Sequence, residues 1–389
     1  MLPFGTKTKS ALEIDEQIES LGAQLRPYSN IDLSAVQLSA LKANLDPSLA
    51  LFADIVMNPS FPASDFARVQ KERLAEIQQE KVEPTDMALR VLPPLLYGTG
   101  HAYGVPYTGT GTEASVTKLT PEDLAKFHTT WYTPENTTLI VVGDTTLKDV
   151  TPRIERAFMA WQGGKAPAKN LARVSPPTKP RVYIIDRPGS EQSLIMTGLI
   201  APAKSEQSDV PLQIMNVILG GTFGARLNMN LREDKHYSYG AQTILLTAGA
   251  QRPYISYAPV QTDKTKESIV EMMKEFRGIT GPQPTTTKEL SDAQANQTLS
   301  LPGARETIDQ VGNSISRIVQ MGLPDDYYQA YAGKVMELRA SEVSDAAKSF
   351  IRPEQMVWVV VGDRAKIEAG VRELNIGDVE ILDADGNKK

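Results

Sequence analysis

The sequence predicts an α+β protein of two similar domains, each a mainly antiparallel sheet packed with helices. Its length, an internal repeat and a mixture of strand and helix patterns support this prediction. At 389 residues the chain exceeds the usual size of one hydrophobic core, so two domains are expected. Hydrophobic residues make up 41% of the chain and charged residues 23%, which is typical of globular proteins.

The internal repeat is the clearest evidence for two domains. TTLIVVGD ends at Asp144 and MVWVVVGD ends at Asp363, so the two copies are offset by 219 positions. Each copy is predicted to form a strand. A Pro-Glu pair precedes each copy, at Pro134 and Pro353, and a helical pattern lies on either side of each copy. Chance similarity between two buried strands is the alternative, but it leaves the shared order of elements unexplained.

A stretch rich in small, basic and proline residues separates the copies. GGKAPAK begins at Gly163 and PPTKP ends at Pro180, a composition typical of a linker. We therefore predict an N-terminal α+β domain over 1–168, a linker over 169–180 and a C-terminal α+β domain over 181–389. Strand and helix patterns that mix without strict alternation favour helices packed on a largely antiparallel sheet.

The repeat also predicts that the N-terminal domain is truncated. Subtracting the offset from Gly220 gives position 1, so the strands and helix expected over 181–219 have no counterpart in the first half. Capping-box spacing between Ser10 and Glu13 predicts a helix after only nine residues. We expect roughly 40 to 60 further residues upstream, without which the sheet would expose an unpaired edge.

Composition excludes several classes of protein and site. The absence of cysteine excludes disulfides, thiolate zinc sites and cysteine nucleophiles. A net charge of −6 without a basic cluster argues against nucleic-acid binding. No run reaches the roughly 20 apolar residues that a membrane helix needs.

A polar cluster, LREDKHYSYG, follows an expected helix in the second half and contains Arg232 and Tyr239. Spacing alone also fits an arginine that satisfies helix-terminal carbonyls and a tyrosine that opens a strand. The longer stretch GGTFGARLNMNLREDKHYSYGAQT, however, resembles the pitrilysin/insulinase metallopeptidase family. ALFADIVMNPSFP, the paired VVGD segments and GLPDDYYQAY fit the same family, so the resemblance covers essentially the whole chain.

The resemblance implies a mitochondrial-processing-peptidase-like fold and a composite zinc peptidase site. In active members an inverted HxxEH helix and a distant glutamate hold zinc, while an arginine-tyrosine pair handles the substrate. Here that pair is Arg232 and Tyr239; Tyr237 is the competing tyrosine, and the family register selects Tyr239. A guanidinium can hold a peptide carbonyl with parallel donors, and a phenol can donate to a developing oxyanion.

The sequence contains no HxxEH, and its histidines are widely separated: His101, His128 and His236. Glu76 falls near the family's glutamate ligand, but without histidine partners we expect it on a solvated helix face with Glu72 and Glu80. In active members HxxEH precedes the position that matches Met1. We therefore expect no metal site in this chain, with Glu76 as a ligand only if HxxEH lies upstream.

The resemblance predicts the substrate-handling half of a zinc-dependent endopeptidase that cleaves peptides in an enclosed chamber. An HxxEH-bearing partner half of the same family would supply the zinc, so this chain alone is expected to be inactive. Two alternatives remain: a self-sufficient zinc peptidase with HxxEH upstream, and a non-proteolytic scaffold or peptide-binding module. Close bacterial relatives are often exported, so a periplasmic or otherwise exported location is expected and a cytoplasmic one stays open.

Overall fold

A computed structural model describes residues 1–204 and 207–389 and confirms the α+β class. The α-helices are, in chain order, α1 (Ala11–Leu21), α2 (Leu45–Met57), α3 (Ala63–Glu80), α4 (Pro84–Tyr97), α5 (Glu113–Val116), α6 (Pro121–Trp131), α7 (Leu147–Phe158), α8 (Asp209–Asn216), α9 (Arg226–Asn228), α10 (Thr265–Thr280), α11 (Thr287–Leu299), α12 (Ile308–Met321), α13 (Tyr327–Glu337), α14 (Ala340–Phe350) and α15 (Arg364–Glu373). The strands are β1 (Gln24–Ser29), β2 (Ser34–Ser39), β3 (Arg181–Asp186), β4 (Gln192–Ala201), β5 (Gln242–Leu245), β6 (Arg252–Gln261), β7 (Val357–Gly362) and β8 (Asp378–Leu382). Two π-helical turns, Val217–Gly221 and Met229–Asp234, flank α9.

The chain forms two compact units, and neither is continuous in sequence. Unit 1 consists of Met1–Ile77, Gly111–Lys169 and Arg305–Val319. Unit 2 consists of Gln78–Thr110, Asn170–Ala304 and Gln320–Lys389. The domain bounds 1–168 and 181–389, and the truncation, stay predictions. Within the described residues, no helix has both the length and the apolar character that crossing a membrane requires.

Unit 2 is built on a six-stranded mixed sheet with the strand order β5-β6-β4-β7-β3-β8. Neighbouring strands from β5 to β7 run antiparallel, whereas β3 is parallel to both β7 and β8. The predicted antiparallel character therefore holds for the half of the sheet that leads to the polar cluster. β5 follows that cluster and lies at one edge of the sheet.

Helix α4 packs closely on this sheet at a glycine of β4. A Cβ atom on Gly198 of β4 would lie 2.9 Å from Leu96 and 3.2 Å from Leu92, both in α4. Trp358 of β7 is fully buried and makes an edge contact with Phe276 of α10, with 6.3 Å between ring centroids. β7 is buried along its whole length and β4 along most of it, so both strands belong to the core of unit 2.

Unit 1 has its own small core and a two-stranded antiparallel sheet, β1-β2. Ile14, Ile55 and Phe61 belong to that core. The predicted capping box begins α1, because Ser10 N donates to Glu13 Oε2 at 2.8 Å while Glu13 N donates back to the Ser10 hydroxyl.

The strand predicted for TTLIVVGD in the first half is wrong. Residues 137–142 have no strand partner in the described chain, and Leu139 and Val141 are 42% and 46% exposed. The second copy forms β7, because β3 and β4 pair with it on its two sides. The helices predicted around both copies are confirmed as α6, α7, α14 and α15.

Candidate functional site

The polar cluster of unit 2 begins within the π-helical residues Met229–Asp234 and continues through a tight turn. His236 adopts a left-handed backbone with φ of 56°, and its Nδ1 lies 3.0 Å from the Arg232 carbonyl oxygen. The amides of Tyr237 and Ser238 both donate to Leu231 O, at 2.9 and 3.3 Å. These bonds fold the chain back over the helix end. Both π-helical turns and left-handed non-glycine residues occur preferentially at functional sites.

Arg232 and Tyr239 meet as a result of this turn. Arg232 Nη1 donates to the Tyr239 carbonyl oxygen at 2.8 Å, and Nε lies 3.1 Å from Glu233 Oε1. Among the described residues Nη2 has no hydrogen-bond acceptor, so its two N–H groups can serve a ligand. The Arg232 side chain is 41% exposed and Tyr239 is 82% exposed. Arg232 therefore binds the backbone of Tyr239, and both side chains reach the surface of unit 2.

Tyr239 lies outside the strand in which the sequence suggests it. β5 begins at Gln242, and the preceding residues make only an isolated bridge between Ser238 and Val260. The Tyr237 carbonyl accepts from Gln261 N at 3.0 Å, which holds the competing tyrosine against β6. The turn therefore leaves Tyr239 as the more exposed of the two phenols.

The three histidines bond to backbone groups rather than to one another: His101 Nε2 lies 2.9 Å from Ala172 O, His128 Nε2 lies 2.7 Å from Val56 O, and His236 Nδ1 lies 3.0 Å from Arg232 O. Burial lowers the pKa of His128 below its usual value. Within residues 1–204 and 207–389, no cluster of three histidine, cysteine, aspartate or glutamate side chains could hold a metal ion. The donors in this part of the chain therefore do not fit a zinc site.

Glu76 is exposed on α3, where its carboxylate lies 2.8 Å from Arg73 Nη1. The prediction that Glu80 shares this solvated face is wrong. Glu80 Oε2 accepts from Arg90 Nη1 at 2.7 Å, and the Arg90 side chain is only 2% exposed. A buried guanidinium needs a counter-charge, so Glu80 in the last turn of α3 is directed toward it.

A cavity of about 890 Å³ adjoins the same π-helical turn. Its lining includes four acidic and two basic residues: Glu233, Asp234, Glu275, Glu289, Arg226 and Lys274. Arg226 and Glu289 pair through two hydrogen bonds of 2.6 and 2.8 Å, so the protein itself neutralises part of this charge. Neither Arg232 nor Tyr239 lines the cavity.

Curated relatives share most of their length with this chain. "Uncharacterized zinc protease YmxG" of Bacillus subtilis is 24% identical over 336 residues, which are 81% of this chain and 80% of that protein. "Non-peptidase homolog YmxG" of Helicobacter pylori is 21% identical over 94% of this chain and 83% of its own. A Mycobacterium leprae relative, also named an uncharacterized zinc protease, is 24% identical over 70% of this chain and 62% of its own.

Solved structures match the fold. The peptidase M16 inactive domain from Pseudomonas fluorescens superposes with a TM-score of 0.86 and 25% identity, covering 93% of this chain and 86% of that one. The first half of the periplasmic protease PqqL from Escherichia coli gives a TM-score of 0.71 and 18% identity, covering 100% of this chain and 86% of that half. This chain covers 45% of whole PqqL.

Two family models match separate parts of the sequence. "Insulinase (Peptidase family M16)" matches residues 1–101, and "Peptidase M16 inactive domain" matches residues 118–297. Together the matches cover more than half of the chain, and the polar cluster lies inside the second match. The chain belongs to the insulinase family of peptidases, family M16.

Proposed function

We propose that this chain is the substrate-handling half of a zinc-dependent endopeptidase. The observation that carries the proposal is the presentation of Arg232 and Tyr239 on one turn, with Arg232 Nη2 available and Tyr239 82% exposed. The guanidinium would hold a backbone carbonyl of an extended peptide. The phenol would donate a hydrogen bond to oxygen as negative charge develops on it.

An HxxEH-bearing partner half of the same family would supply the zinc and close a chamber around the peptide. The described residues contain no set of donors that fits zinc, which supports the assignment of the metal to a partner half. The match to the first half of PqqL, and to 45% of the whole protein, supports a two-half arrangement. Because PqqL is named periplasmic, the same comparison supports a periplasmic location.

The test is the peptidase activity of the chain together with its native partner half. Arg232→Ala and Tyr239→Phe should each lower kcat/KM by about 10²-fold or more, because each removes a donor aimed at developing or bound oxygen. Zinc content should stay unchanged. Arg372→Ala is the matched control, since this arginine is 47% exposed and lies on α15. Full activity in both site variants would contradict the proposal.

A non-proteolytic peptide-binding module is the second candidate. The Helicobacter pylori relative named a non-peptidase homolog favours it. This candidate predicts peptide binding that depends on Arg232 without cleavage, even when the partner half is present. A self-sufficient peptidase would instead show tightly bound zinc in protein expressed with its upstream codons, and loss of that zinc in Glu76→Gln.

A further inference from the structure

We infer that Ser238 is a positioning residue for Tyr239, because its hydroxyl fixes the backbone that carries the phenol. This inference rests on the proposed function, since it concerns the same substrate site. Ser238 precedes Tyr239 in the turn and is partly buried, whereas Tyr239 is 82% exposed. The serine hydroxyl bonds to the protein itself, so its role acts through Tyr239 and not through contact with the peptide.

The hydroxyl of Ser238 joins the turn to strand β6. Gly240 N donates to Ser238 Oγ at 3.0 Å, and this bond spans Tyr239. The same Oγ lies 2.6 Å from Pro259 O in β6 and 2.8 Å from Gly240 O. A hydroxyl carries one proton, so it donates to one of these two carbonyls at a time. The shorter of the two distances is the one that fastens the turn to the sheet.

The edge of β6 explains why a side chain serves as donor at this point. β5 pairs with β6 only as far as Tyr257, so the remainder of β6 lies beyond the reach of that strand. The turn takes the place of β5 there, because Gln261 N donates to Tyr237 O at 3.0 Å. Between these two points, the Pro259 carbonyl accepts from the Ser238 hydroxyl where a strand would offer an amide.

Further bonds hold the backbone of Tyr239 and leave its ring free. Arg232 Nη1 donates to Tyr239 O, and the next amide, Ala241 N, donates to Oδ1 of the buried Asn228 at 3.1 Å. Together with the bond that crosses from Gly240 to Ser238, these contacts fix the residues around the phenol. A donor held in place before the reaction stabilises developing charge without reorganisation.

Loss of this hydroxyl should affect the transition state more than peptide binding. Ser238 is only partly buried, so water can replace its bonds to Gly240 and Pro259 and the fold should persist in Ser238→Ala. The backbone of Tyr239 would then be less constrained. Because the phenol would act on the developing oxyanion, we expect kcat to fall while KM stays the same.

The kinetic test uses the chain together with its native partner half and an internally quenched peptide that the wild-type complex cleaves. Ser238→Ala should lower kcat about 10-fold with KM unchanged within about 2-fold, because a misplaced donor loses part of its effect. Ser238→Thr, which keeps the hydroxyl, should restore kcat. Ser349→Ala is the matched control, since that hydroxyl also donates to a backbone carbonyl, Ala346 O at 2.9 Å, but lies on α14.

A double variant shows whether Ser238 acts through the phenol. In a Tyr239→Phe background, Ser238→Ala should lower kcat by less than about 2-fold, because two changes that remove the same interaction are not additive. An equal loss in both backgrounds would overturn the role of Ser238.

Hydrogen exchange on the purified chain tests the geometry without the partner. The Gly240 amide should exchange about 10-fold faster in Ser238→Ala, because it loses its acceptor, and Ser238→Thr should restore its protection. Unchanged protection of Gly240, or full kcat in Ser238→Ala beside an impaired Tyr239→Phe, would overturn the role of Ser238 alone. Full kcat in Tyr239→Phe, or no cleavage by the wild-type complex, would overturn the substrate site itself and this role with it.

Discussion

The two copies of the VVGD pattern adopt different structures in the two units. Trp358 and Leu139 occupy the same position of the repeat, yet Trp358 is 0% exposed and Leu139 is 42% exposed. Val360 and Val141 differ in the same way, at 0% and 46%. The first member of each pair lies in the strand β7, and the second lies in a segment that pairs with no described strand.

This difference shows that the apolar run specifies a strand only when neighbouring strands are present. Val360 pairs with Ile184 of β3 on one side and with Ile195 of β4 on the other. β-propensity largely reflects such packing against cross-strand neighbours. Residues 137–142 carry a similar apolar run without these partners in the described chain, so they remain partly exposed.

Hydrogen exchange should show the largest difference between the copies. We expect the amides of Val359, Val360 and Val361 to exchange at least about 10³-fold more slowly than those of Ile140, Val141 and Val142, because a central strand exchanges only through large-scale opening. Exchange measured by NMR or mass spectrometry checks this. Similar protection of both segments would contradict the comparison.

Truncating Trp358 should destabilise the protein more than truncating Leu139, which occupies the matching position of the repeat. Trp358→Ala should lower the free energy of unfolding of unit 2 by about 3–5 kcal/mol, since it removes a fully buried aromatic side chain. Leu139→Ala should cost less than about 1 kcal/mol because its side chain is already partly solvated. Denaturant unfolding of the two variants measures both values, and equal losses would be inconsistent with this account.

The smallest expected effect concerns pH and unit 1. Burial holds the pKa of His128 below that of the unfolded chain, so below about pH 6.5 the unfolded state binds the extra proton first. The free energy of unfolding should therefore fall as the pH drops from 7. Its slope should correspond to at most one bound proton, and it should level off below the pKa of His128 in the folded state. His128→Gln should flatten this dependence. If the free energy of unfolding of His128→Gln depends on pH as that of the wild type does, His128 is not the source of the pH dependence.

The sequence predicts the parts of the fold that depend on local pattern. The helices around both VVGD copies and the capping box of Ser10 are confirmed, because caps and apolar periodicity act within a few residues. The predicted strand at 137–142 and the predicted solvated position of Glu80 are wrong, because residues distant in the sequence determine both. A missing strand partner and a buried Arg90 are not visible in the local sequence.

The candidate site, too, is predicted only in part from the sequence. The spacing and the family resemblance select Arg232 and Tyr239, and the structure brings these residues together through the backbone of residue 239. Their roles stay predictions. The contact of Phe223 with Arg232 is not predicted from the sequence, because the position of the loop that contains Phe223 depends on two hydrogen bonds of the buried Asn228.

Contact between the peptide and Tyr239 tests the central claim most directly. A photoreactive benzoylphenylalanine at position 239 should cross-link to a bound peptide, and unlabelled peptide should compete. The cross-link should disappear when Arg232→Ala is added, and the same analogue at the exposed position 336 should give none. Absence of a cross-link at 239, or equal cross-linking at 336, would contradict the assignment of this turn as the substrate site.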